Sequence, residues 1–109
     1  MTLTRINESE YNILSEVEGQ AVSGAARSKV LVNGDQLTME KATFENGAST
    51  PAHSHDFETI SFVVKGKVQV TVGDETFIAE TGDSFSQPRG VQHSIYALHE
   101  TTLVSAKAN

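Results

Sequence analysis

A chain of 109 residues with 38% hydrophobic and 20% charged residues is long enough for one domain with its own core and too short for two. Its formal net charge of -6 argues against nucleic acid or an anionic membrane surface as partner, and no apolar run approaches the roughly 20 residues of a membrane-spanning helix. Without cysteine there is no disulfide framework and no thiolate metal site, and without a basic-then-apolar leader the expectation is a cytoplasmic protein.

Residues 1–20 are polar and weakly patterned, with Ile6, Tyr11, Ile13, Leu14 and Val17 scattered through them. They read as an N-terminal arm with a short helical turn, tethered by packing on the body or on a partner chain. Residues 21–109 read as a single β-barrel domain. Gly19 and Gly24 mark a loop. Strands are predicted over 26–32 and 37–44, joined by an Asn33-Gly34-Asp35 turn. Ser49–His55 follows as an extended piece whose Pro51 suits a strand start or sheet edge.

Thr59–Val64 is rich in β-branched and aromatic residues, the composition of a strand. Lys67–Val72 alternates Val68, Val70 and Val72 with polar residues, so one face is buried. Gly73-Asp74 turns the chain into 75–80, and Thr81-Gly82-Asp83 turns it again, with Asp83 capping that turn. Short strands over 84–87, 92–98 and 101–107 complete the chain. Eight or nine short strands, turn signals every 6–12 residues and no long helix mean a sandwich, jelly roll or barrel. Phe57, Phe62, Phe77, Phe85 and Tyr96 are the expected core or pocket aromatics.

Chemistry concentrates in 47–66. His53 and His55 stand at i and i+2, so on an extended strand both imidazoles face one side and can meet at one divalent transition metal. Alone the pair reads more readily as two solvated loop histidines. A second stretch, Gly82 to Ala97, adds Pro88, Gly90 and His93, the last on another strand and from another direction. His99 lies beyond it and reads as a surface residue.

These two stretches resemble the paired signatures of the cupin superfamily, in the form of a small single-domain cupin. Gly47, His53, His55 and Gly66 match the first signature, and Gly82, Pro88, Gly90 and His93 match the second at every spacing. The resemblance covers roughly residues 37–105 and implies an all-β double-stranded β-helix, a jelly-roll barrel, holding one divalent metal (Fe, Mn, Ni or Zn) on His53, His55 and His93. The family's carboxylate ligand falls at Thr59, whose hydroxyl is a poor ligand. Either water takes that position, or a local bulge turns the neighbouring Glu58 inward. Ala97 stands where the second signature has a non-ligating Asn.

Thr59, Ser61, Val63 and Ile95 are the expected pocket lining. No acid/base residue is visible among Ser61, Phe62, Val63, Ile95 and Ala97, and the candidate substrate anchors are Arg5, Arg27 and Arg89, the last pointing outward from its turn. Three-histidine cupins without the carboxylate resemble thiol and β-diketone dioxygenases, so a metal-dependent dioxygenase on a small organic substrate is the leading expectation. The alternatives are a non-enzymatic module binding metal or a small ligand, and a sugar-acid isomerase or lyase. The resemblance, the uncapped edge strands and the arm also imply a homodimer.

Overall fold

A computed structural model describes residues 2–109. Among the described residues eleven strands run in chain order: β1 (Asn12–Ile13), β2 (Glu16–Val17), β3 (Gln20–Ala21), β4 (Ala26–Asn33), β5 (Leu37–Phe44), β6 (Thr59–Lys65), β7 (Lys67–Val72), β8 (Glu75–Glu80), β9 (Ser84–Gln87), β10 (His93–Ala97) and β11 (Thr101–Ala108). No helix occurs among the described residues. The strands from β4 onward fall within a residue or two of their predicted spans.

The difference lies in the arm. Its predicted helical turn is an isolated turn in which Glu8 N donates to Arg5 O, and 12–21 forms three two-residue strands. A two-residue strand carries no periodicity for a sequence reading to detect. Tyr11 holds the arm to the body: its ring lies within 4.8 Å of Lys29 Nζ and 5.1 Å of the Arg27 guanidinium. Lys29 Nζ also donates to Ile6 O at 3.1 Å.

Two antiparallel sheets make the barrel. The larger runs β1-β4-β5-β11-β6-β9 and the smaller β10-β7-β8. The extended piece 48–53 adds to the free side of β10: Thr50 N donates to Ile95 O, and His53 and His93 exchange backbone bonds of 3.0 and 2.8 Å. Inward residues of both sheets interdigitate in one cluster, with Phe44, Val63 and Leu103 from the larger and Val68, Val70 and Ile95 from the smaller. Gly66 turns the chain between β6 and β7 with φ +120, and a Cβ there would stand 2.5 Å from Glu100 O and 2.6 Å from Thr101 Cα. Asp83 caps the β8–β9 turn, its Oδ2 accepting from Glu80 N at 2.8 Å.

Strand alternation corrects two aromatic expectations. Phe62 and Tyr96 are each 47% exposed. Ser61 and Val63 take the inward positions of β6, and His93, Ile95 and Ala97 those of β10, so the aromatic between them must point out. Phe77 and Phe85 pack against the core, edge to face at 5.7 Å.

Candidate metal centre

The registers of the larger sheet stack inward residues in rows across β5, β11 and β6. The deep row is Ala42, Leu103 and Val63, the next Glu40, Ser105 and Ser61, and the outermost Thr38, Lys107 and Thr59. An apolar floor thus gives way to a polar band. Between this wall and the histidines lies a cavity of about 250 Å³. Thr59, Ser61 and Ile95 line it. Val63 does not: it is fully buried in the core, while Ala42 and Leu103 of the same row reach the cavity wall.

The three histidines converge on this cavity, each offering a ligand atom within 4.8 Å of the others. His53 and His93 are direct partners across the bridge that joins 48–53 to β10, which places their side chains on one face with ring centroids 4.3 Å apart. His55 lies just past the bridged segment. Its ring centroid is 4.8 Å from that of His53, and its ring stacks on Phe57 at 4.7 Å. Gly90 N, in the Pro88-Arg89-Gly90 turn, donates to His55 O at 2.9 Å and fixes this loop against the second signature.

The rings are prepared for a cation. His53 Nδ1 lies 2.8 Å from Pro51 O, and His93 Nδ1 3.2 Å from Val91 O. A carbonyl only accepts, so these nitrogens carry the proton and each neutral ring keeps its lone pair on Nε2. His55 Nδ1 lies 2.7 Å from the Glu18 carboxylate, which imposes the same tautomer. Burial holds His53 below the ordinary imidazole range and, reinforced by the adjacent His53, pushes His93 down to about 4. Neutral imidazole is the ligating form, so the donor set fits a divalent transition metal.

Several groups in or beside the site escaped the sequence reading. Glu18 comes from the β2–β3 hairpin, and Glu40 and Lys107 form an ion pair among the residues that line the cavity. The pair was legible in part: on β11, Lys107 shares the alternation of Leu103 and Ser105. Nothing local marks Glu18, which meets His55 across 37 positions of chain. Glu58 is exposed and absent from the cavity wall. No arginine lines the cavity among the described residues. Arg89 is exposed and pairs with Asp56, while Arg5 lines a separate groove on the outside of the larger sheet. His99 is exposed.

Residues 40–105 match the family described as the cupin domain. Among solved structures, the fold superposes on an RmlC-like cupin from Shewanella frigidimarina with a TM-score of 0.81 at 24% identity, covering 97% of this chain and 88% of that one. It superposes on a predicted oxalate decarboxylase from Thermotoga maritima with a TM-score of 0.83 at 16% identity, covering 97% of each chain. The polyketide cyclase RemF from Streptomyces resistomycificus gives 0.82 at 17% identity, covering 99% of this chain and 79% of that one. Likeness at these identities speaks for the fold alone. No curated protein matches the chain.

Proposed function

The chain belongs to the cupin domain family, and we propose that it holds one divalent transition metal on His53, His55 and His93 and acts there on a small organic substrate, as a metal-dependent dioxygenase. The observation that carries this reading is the convergence of three imidazoles, each with Nδ1 already engaged, on one polar-walled cavity. Thr59 brings no charge to the ligand set and Glu58 is turned away, so the protein supplies three ligands and leaves further positions to water or substrate. A bound divalent iron would supply Lewis acidity and one-electron chemistry with dioxygen. The chain's own residues supply the rest: Ser61, Ser105 and Gln87 offer hydrogen bonds to a substrate, Lys107 offers a cation, and Phe44 and Leu103 keep the inner end dry.

The ion pair of Glu40 and Lys107 favours a second reading. A carboxylate and an ammonium on the wall of the cavity that holds the three histidines are an acid and a base within reach of one ligand, which suits an isomerase or lyase. Metal content of protein purified without chelator or histidine tag, followed by oxygen uptake with added Fe(II), separates the readings. Near-stoichiometric iron, absent in His53→Ala, together with oxygen consumption on a small organic acid supports the dioxygenase. Zinc, nickel or manganese without oxygen uptake favours the isomerase or lyase, and stable metal without turnover of any kind favours a binding module. A wild-type protein that takes up no metal even on reconstitution refutes all three metal-dependent readings.

We also propose that a second copy of the chain is its partner. Ile60, Phe62 and Val64 on β6 and Leu37 and Met39 on β5 leave apolar side chains exposed on the outside of the larger sheet, the kind of surface that marks an interaction site.

A further inference from the structure

Two of the three histidines are oriented by the backbone two residues before them, at Pro51 and Val91. His55 is not. Its Nδ1 partner is the Glu18 carboxylate at 2.7 Å, from the tip of the β2–β3 hairpin. His55 is also the least buried of the three and lies outside any strand. Phe57 stacking and the Gly90 bond hold its ring plane and backbone, and neither engages a ring nitrogen.

The hairpin is built to deliver that carboxylate. Glu18 and Gly19 form its two-residue loop with φ +47 and +77, both left-handed. Such loops favour Asn, Asp or Gly at the first position. Glu18 is the only non-glycine residue with positive φ among those described. A backbone conformation rare for a residue with a Cβ, held where the side chain meets a candidate ligand, points to function. The same hairpin has a second tie to the histidine-bearing segment, Gln20 Nε2 to Ala52 O at 3.3 Å, and Val17 lines the cavity.

We propose that Glu18 is a positioning residue for the metal centre: it fixes the tautomer and orientation of His55 from outside the ligand set, and so makes the β2–β3 hairpin part of the site. This rests on the three-histidine metal reading above and extends it. A carboxylate behind a ligating imidazole raises its basicity and holds its ring, and here it brings a negative charge to an otherwise neutral ligand set. Because only His55 depends on a remote segment, metal binding and docking of the hairpin tip are one coupled equilibrium. Metal therefore stabilises a hairpin that donates no ligand.

The test is Zn(II) affinity, by competition with a chromophoric chelator, for wild type, Glu18→Gln and Gln20→Ala, together with hydrogen exchange of the amides of residues 16–21 with and without Zn(II). Glu18→Gln is expected to lose about 10–100-fold in affinity with the unfolding of the metal-free protein unchanged. Wild-type hairpin amides are expected to slow when Zn(II) binds, and those of Glu18→Gln not to respond. Gln20→Ala removes a tether and keeps the carboxylate, so it should lose far less. The proposal is overturned if Glu18→Gln binds Zn(II) as wild type does, if Gln20→Ala loses as much, or if the hairpin amides ignore the metal. Each of these leaves the three-histidine reading standing. A wild-type protein that binds no Zn(II) removes both.

Discussion

His93 is an imidazole that the fold keeps neutral, and the sign of its effect follows. Its pKa in the folded chain is about 4, against an ordinary value of 6.5. Above 6.5 neither state is protonated and there is no penalty. As pH falls from 6.5 toward 4, the unfolded chain takes up a proton that the folded one refuses, and stability drops until the folded pKa is passed. In chelator-treated protein this should appear as a loss of order 1–3 kcal/mol between those limits in urea unfolding. His93→Asn should remove that component of the slope. Zinc affinity should fall over the same window, because protons and metal compete for one lone pair. Gly66 makes a steric prediction. A side chain there meets the backbone of Glu100 and Thr101 at a φ that disfavours any Cβ, so Gly66→Ala should cost about 2–4 kcal/mol in denaturant unfolding.

At the scale of elements, β6 shows how a cavity inverts the usual pattern. Its apolar residues Ile60, Phe62 and Val64 face out, while Thr59 and Ser61 face in beside a single apolar residue, Val63. The inward serine is satisfied across the sheet by Ser105 at 2.8 Å, a pair that carries polarity into the barrel without leaving an unpartnered group. The arm depends on a different device. Tyr11 sits among Arg27, Lys29 and Lys41, its ring centroid 4.8 to 5.9 Å from the three cations. Tyr11→Ala should destabilise the protein by about 1 kcal/mol and speed amide exchange in β1, with the strands of the smaller sheet unaffected.

At the scale of the molecule, the outside of the larger sheet is more apolar than a free surface needs to be. Phe62 at 47% exposed and Ile60 at 54% stand among Leu37, Met39 and Val64. A second copy would cover these side chains. Light scattering after size exclusion should therefore give about twice the chain mass of 11.7 kDa at micromolar concentration, and Phe62→Lys should give a monomer whose metal affinity is unchanged. A wild-type monomer at that concentration would rule the dimer out.

The strands from Ala26 to the C-terminus were legible because alternation and glycine turns are local signals, each contained within about ten residues. The histidines were legible because their spacing at i and i+2, and the recurrence of a third after the Pro88-Arg89-Gly90 turn, is a property of the string itself. The facing of Phe62 was not, since alternation gives the parity of a strand but only the opposing sheet decides which parity is inside. Val63 shares the inward face of β6 with Ser61 and packs in the core instead of the cavity wall, a distinction that alternation does not carry. Glu18, Glu40 and Lys107 needed the folded chain most. Their importance comes from charges brought together over long separations, 37 positions for Glu18 with His55, and no local pattern encodes a contact of that range.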